Sequence, residues 1–263
     1  MIQDLRQTQE YAQYMRQIGW QSEKIFNSQF SISNYIYIKK LPLLPFSVAK
    51  LQRPVGPIDW KEVEKVKKKY RIIKLITEET VAKRTIWIDL RKSEKQLLKE
   101  MKPKTRYNIG FAQRQRKKLI IKIIDGSVLS KSDFVLEFLK LLRENAKRLR
   151  IFGMPQKWFE AQVSAFGNKC FAVLASAKGR LVAGNFFMVS ADGCFYSHNG
   201  SVDTGRKLMA PTLCVWEGIK EAKRRKLKIF DFDGIYDGSR VLRRWQGFTR
   251  FKRGFGGEEI TFS

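Results

Sequence analysis

Two carboxylates, Asp231 and Asp233, stand two positions apart in the run Phe230-Asp231-Phe232-Asp233-Gly234, so on a strand they project to one side. Such a pair can take a proton from an ammonium group, which makes Asp233 a candidate general base. Acids at a strand end also cap the next turn or pair with arginines, and Arg240, Arg243 and Arg244 follow closely. The structural role is the better reading for Asp231, and Asp233 stays open. The segment Asp231–Gly257 is the part of the chain best suited to build an active site. A Ser-His-Asp set is not expected, because His198 is the sole histidine and reads as a satisfied loop residue. Cys170, Cys194 and Cys214 are widely spaced and form no CxxC pair, so no metal site is expected.

The chain has 263 residues, with 52 Lys+Arg against 25 Asp+Glu, a net charge of +27. A field of that size draws polyanions: nucleic acid, an anionic membrane surface or a phosphorylated substrate. The alternative is a merely solvated, lysine-rich surface. With 43% hydrophobic residues the chain can pack a core and is not a disordered tail. Met1–Trp20 is polar and periodic, and nowhere do about 18 apolar residues run together. A chain with no transmembrane segment, in a reducing cytoplasm, is expected.

The elements that must position the site alternate between helix and strand. Residues 5–18 read as a helix, and residues 35–38 and 46–51 as strands. The turn Arg53–Pro57 precedes a charged helix, residues 59–70, with Asp59 as N-cap. Residues 72–76 and 85–90 read as strands. Ser93 and Gln96 have capping-box spacing and open a helix, or a pair broken near Pro103, that runs to Lys118. Phe134, Phe138, Leu141, Leu142 and Leu149 share a helical face, and a short helix follows over 155–166. Three β runs (171–175, 181–189, 194–197) are joined by Lys178-Gly179 and Asp192-Gly193. A helix carrying Leu213, Trp216 and Ile219 leads to a strand at 228–232.

Both halves repeat one order: helix, antiparallel strands, an arginine-to-proline turn, helix, strand. The expectation is an α/β (α+β) chain of two GNAT-like acyltransferase units, each a mostly antiparallel sheet flanked by helices. The units are a shortened one over 1–124 and a second, carrying the main site, over 125–263. In GNAT enzymes the loop before the central helix is rich in glycine, so that its N–H groups can cradle the pyrophosphate of coenzyme A. Here that stretch is Arg206-Lys207-Leu208-Met209-Ala210-Pro211, without glycine and with one N–H removed by Pro211. A donor other than acetyl-CoA is expected, and no cofactor.

Three segments resemble the Fem (FemABX) family of peptidoglycan aminoacyltransferases. They are Lys104-Thr105-Arg106-Tyr107-Asn108-Ile109; Arg206–Pro211 with Trp216-Glu217 and Phe230–Gly234; and the closing Gly247–Gly257. The resemblance implies transfer of an aminoacyl group from aminoacyl-tRNA to the stem-peptide amine of a UDP- or lipid-linked muropeptide precursor. It also implies a cytoplasmic location, with peripheral contact to the anionic inner face of the membrane. By the same resemblance Lys252 is the functional lysine, stabilising the transition-state oxygen or holding a carboxylate, and Phe251 shapes the acceptor pocket. The alternative is a solvated lysine and a core phenylalanine on a basic strand. Arg148 matches an arginine that grips precursor phosphates, Tyr196 a binding tyrosine, and Arg206 opens the matching turn. A family lysine of the first unit falls at Met15, leaving Arg16 as the neighbouring candidate, and a family tyrosine falls at Phe152. Two other functions fit the residues: a GNAT-like N-acyltransferase with another donor, acting on a small amine or protein N-terminus, and a non-catalytic tRNA-binding protein.

Overall fold

In the computed structural model, residues 3–77, 82–115, 117–129, 133–149, 152–238 and 245–262 are described. The chain opens with a 3-10 turn, Leu5–Gln7, and helix α1, Gln9–Gln17. The reading of one helix over 5–18 is corrected at Thr8, whose hydroxyl accepts from the Tyr11 N–H at 3.1 Å and restarts the helix. Strands β1 (Gln21–Asn27), β2 (Ile32–Lys40) and β3 (Ser47–Lys50) form an antiparallel meander. Helix α2 (Trp60–Lys69), capped by Asp59, then returns the chain to β4 (Ile72–Ile76), parallel to β3.

Strand β5 (Arg84–Asp89) leads to α3 (Glu94–Glu100), which carries the Ser93/Gln96 capping box, and α4 (Pro103–Arg114). Pro103 at the start of α4 makes the break. After β6 (Ile120–Asp125) come three helices: α5 (Gly126–Leu129), α6 (Phe134–Leu149) and α7 (Gln156–Phe166). Strands β7 (Cys170–Ala177), β8 (Arg180–Ser190) and β9 (Gly193–Ser201) form a second meander. Lys178 and Gly179 both hold positive φ in its first turn, as a tight hairpin demands. Helices α8 (Asp203–Lys207) and α9 (Ala210–Arg224) follow, and then β10 (Ile229–Asp231), parallel to β9. The chain ends with α10 (Gln246–Lys252) and β11 (Glu258–Thr261).

The strands form a four-stranded sheet, β1-β2-β3-β4, and a seven-stranded sheet, β11-β5-β10-β9-β8-β7-β6. Each contains a meander, a crossover helix (α2 or α9) and a parallel returning strand, the order expected for two GNAT-like units. The sheets do not divide at residue 124. The small sheet ends at Ile76, and β5 and β6 lie in the large one. Six elements escaped sequence reading: β1, β6, α5, α8, α10 and β11.

The large sheet buries both faces. On one side α9 and α4 cover Phe171, Phe187, Phe230 and Phe232; on the other α6 and α7 cover Phe186, Met188 and Phe195. Helix α1 joins the units: Tyr14 and Met15 pack with Tyr37 of β2 and with the core beneath α7. That packing accounts for an apolar residue at position 15, where the side chain is buried in the core.

Candidate active site

The site is built from the turn that follows β10. Asp231 is buried and accepts hydrogen bonds from the Thr85 hydroxyl, the Trp87 indole N–H at 2.8 Å and the Asp233 N–H at 2.7 Å. Burial and the Asp233 charge push its carboxyl up to about 6. The Thr85 oxygen also accepts the Gly234 N–H at 3.1 Å. Together these bonds pin a tight turn in which Asp233 (φ +52°) and Gly234 (φ +104°) are both left-handed. Asp231 therefore builds structure, and the three arginines proposed as partners for the pair lie outside the described residues.

The turn aims two carbonyls at Lys252. Its ammonium donates to Phe232 O at 2.7 Å and Gly234 O at 2.6 Å, and lies 5.7 Å from the ring centre of Tyr196. Lys252 is buried on helix α10, not solvated on a strand. Phe251 packs edge-on to Phe255 at 5.3 Å, holding α10 against the core, while Phe248 lines the adjoining cavity. Burial lowers the lysine to about 8, while Asp233 and Asp231 act in the opposite direction. The Asp233 carboxylate accepts from Arg6 at 2.6 Å. Burial alone would raise Asp233, but Arg6 and then Lys252 outweigh it and hold the carboxyl below its usual range. A carboxylate so paired is a poor proton acceptor, which weakens the general-base reading of Asp233.

These groups border a cavity of about 880 Å³ between the two sheets. Of the residues singled out in the sequence, Arg148, Tyr196, Arg206, Asp233, Phe251 and Lys252 line it together. Arg148, near the end of α6, donates to Asn145 at 2.7 Å, and Asn145 donates to Asn199 O of β9 at 3.2 Å. Arg206 of α8 donates to Ser201 O at 2.7 Å. Arg148 is lowered by burial and then by the neighbouring charge of Arg206, the signature of two guanidiniums gathered on one wall. Met209, Pro211 and Thr212 bring the start of α9 to the same space.

Two candidates are not brought in. Phe152 is wholly exposed, and Arg16 points outward to the Ser22 hydroxyl at 2.7 Å. Sequence reasoning missed Arg6, Tyr11 as a lining residue, and Lys50. Lys50, at the end of β3, gives the cavity a cation from the small sheet, with its ammonium 4.7 Å from the Trp20 ring centre. Only pairing across the two sheets reveals it. Two lining oxygens, Asn108 Oδ1 and Ser197 Oγ, are buried without a hydrogen-bond partner among the described residues, as groups awaiting a ligand would be. His198 lies on β9 and not in a loop. Its ring bonds Gln162 at 2.7 Å between Phe159 and Phe186, and burial lowers it to about 4.

Comparison with known proteins matches residues 176–262 to the FemAB family model. No curated protein matches the chain by sequence. The whole fold is similar to the crystal structure of FemX, with a TM-score of 0.82 at 12% identity over 99% of this chain and 91% of that one. It is also similar to the C-terminal domain of a protein described as a lysylphosphatidylglycerol synthetase from Agrobacterium fabrum: TM-score 0.64, 12% identity, 98% and 87% coverage. A tandem GNAT protein from the clavulanic acid biosynthesis pathway gives a TM-score of 0.50 at 9% identity over 86% of this chain and 76% of its own. The family model matches the segment that carries β8, β9, α9 and the Lys252 turn, and the whole chain follows the architecture of FemX: its C-terminal third is similar to the FemAB family, on a GNAT-like fold.

Proposed function

We propose that the protein transfers an aminoacyl group from aminoacyl-tRNA to the stem-peptide amine of a UDP- or lipid-linked peptidoglycan precursor, at the cytoplasmic face of the membrane. The observation that carries this reading is the Lys252 ammonium, held by two carbonyls in the wall of a cation-lined cavity. An aminoacyl ester is already activated. The acceptor amine adds to the ester carbonyl, the carbonyl oxygen takes up negative charge, and the tRNA hydroxyl leaves as the amide forms. A fixed cation beside that oxygen stabilises the transition state without reorganising. Lys252 uses two of its three N–H donors on Phe232 O and Gly234 O, and the third, with no partner among the described residues, can serve the oxyanion. The same positive field disfavours an ammonium in the cavity, so the acceptor amine sheds its proton more readily there.

Arg148, Arg206 and Lys50 suit the phosphates of the precursor, and the net charge of +27 suits both polyanionic substrates. A structural neighbour named as a lysylphosphatidylglycerol synthetase also handles, by its name, an aminoacyl group. The test is transfer of a radiolabelled amino acid from charged tRNA to purified UDP-linked and lipid-linked precursors. Product that disappears with Lys252→Ala supports the reading. Transfer from acyl-CoA but never from tRNA would show a GNAT-like N-acyltransferase instead. Tight tRNA binding without transfer would show a binding protein.

A further inference from the structure

The loop between β2 and β3 is Leu41-Pro42-Leu43-Leu44-Pro45-Phe46, six apolar residues in a row. All but Leu41 are exposed: Leu43 at 104%, Leu44 at 50% and Phe46 at 40%. The loop is not slack. Leu41 N–H donates to Phe46 O at 3.0 Å, and Leu43 is held at φ +60°, a conformation that leucine rarely adopts. A leucine fixed in a strained turn with its whole side chain in water costs free energy unless something covers it.

Cations rim the loop. Lys40 ends β2 directly before it and pairs in register with Ser47 directly after it. On the next strand the Ser47 N–H donates to Arg71 O at 3.1 Å, and Arg71 is followed by exposed Ile73 and Lys74. Lys40, Arg71 and Lys74 are exposed, and none forms an ion pair among the described residues. An apolar tip ringed by unpaired cations complements an anionic bilayer: acyl chains take the leucines, and lipid phosphates take the ammonium and guanidinium groups. The other exposed aromatics of this unit, Phe26, Phe30 and Trp60, lie toward the opposite end of the small sheet, out of reach of the same leaflet.

We propose that residues 41–46 form a membrane-docking loop, inserting Leu43, Leu44 and Phe46 into an anionic leaflet while Lys40, Arg71 and Lys74 contact its headgroups. The proposal deepens the membrane-face part of the reading above. β3 runs from this loop toward the cavity, where Lys50 forms part of the wall, so the leaflet is brought within about 10 Å of strand length of the site.

The test is flotation of the full chain with vesicles of phosphatidylcholine alone and of phosphatidylcholine with phosphatidylglycerol. The wild type floats with the anionic vesicles only. Leu43→Ser/Leu44→Ser reduces that binding by roughly ten-fold or more, with an unchanged melting temperature. Tryptophan emission from a Leu43→Trp variant shifts to the blue on the anionic vesicles. A wild type that stays in solution overturns the proposal. So does a double-serine variant that floats as well as wild type, since net charge alone would then explain the binding. Transfer to a soluble UDP-linked acceptor without lipid reports on the chemistry separately and is retained by the double-serine variant.

Discussion

Arg6 and Asp233, 227 positions apart in sequence, are joined by a 2.6 Å ion pair that ties the first turn of the chain to the loop holding Lys252. Both side chains are largely buried, so each needs the other. Arg6→Met strands a buried carboxylate and is expected to cost about 3 kcal/mol in stability. Arg6→Met/Asp233→Asn recovers a good part of that loss. Urea denaturation of the wild type, both single variants and the double variant measures the coupling; additive losses would show that the pair does not act as a unit.

On the proposed mechanism Lys252→Ala removes the cation at the reacting carbonyl, and kcat is expected to fall by about 100- to 1,000-fold with a smaller change in KM. The pH profile supplies a second check. Burial lowers the Lys252 ammonium to about 8, so its charge is present below that pH and lost above it. Transfer corrected for spontaneous ester hydrolysis should therefore decline as pH rises through about 8. A rate that stays flat up to pH 10 would remove Lys252 from the oxyanion role.

Arg148 and Arg206 face the cavity, whereas Arg16 and Phe152 do not. Arg148→Ala and Arg206→Ala are each expected to raise KM for the phosphorylated precursor by about ten-fold while leaving kcat within a few-fold. Arg16→Ala and Phe152→Ala should leave both constants within about two-fold, the usual range for surface changes. Steady-state kinetics on the four variants separates the two groups, and a large effect at Phe152 would contradict this placement of the site.

Asp231→Ala leaves the Trp87 indole, the Thr85 hydroxyl and the Asp233 N–H without their acceptor. The expected cost is about 2–4 kcal/mol, together with a loss of transfer because the carbonyls that hold Lys252 are no longer fixed. Thermal melts and rates on the same samples test both. Full activity in a destabilised variant would show that the turn does not position Lys252.

His198 stays neutral in the fold because burial depresses it from 6.5 to about 4. A depressed imidazole binds its proton later than in the unfolded chain, so its contribution is intact above pH 6.5 and is lost as pH falls toward 4. Asp231, raised to about 6, contributes with the opposite sign over much of that range. The quantity to measure is therefore the difference between wild type and His198→Asn. That difference should change by up to about 3 kcal/mol between pH 6.5 and 4. No change would mean that the ring is solvated.

The local code was strong enough to read from the sequence wherever a short-range device fixed the chain. The Asp59 cap, the Ser93/Gln96 box, the break at Pro103 and the Lys178-Gly179 turn each act within a few residues, and each stands where the pattern put it. Alternating apolar strands and periodic helices likewise disclosed the two α/β units and their shared order. Long-range pairing was not legible. Strand β5 reads as local to the first half, and β6 went unread, yet their hydrogen-bond partners are β10, β11 and β7. Helix α10 was hidden among glycines until Phe251, with Phe255 just beyond the helix, met the core. The segment Asp231–Gly257 stood out as the candidate site through its residue types and its family resemblance. Its working geometry did not, because Lys252 takes its setting from Phe232 O, Gly234 O, Tyr196 and, through Asp233, from Arg6. Burial of that lysine and closure of the cavity by Lys50 arise only when two sheets pack, and spacing within one segment carries no record of which distant surface will cover it.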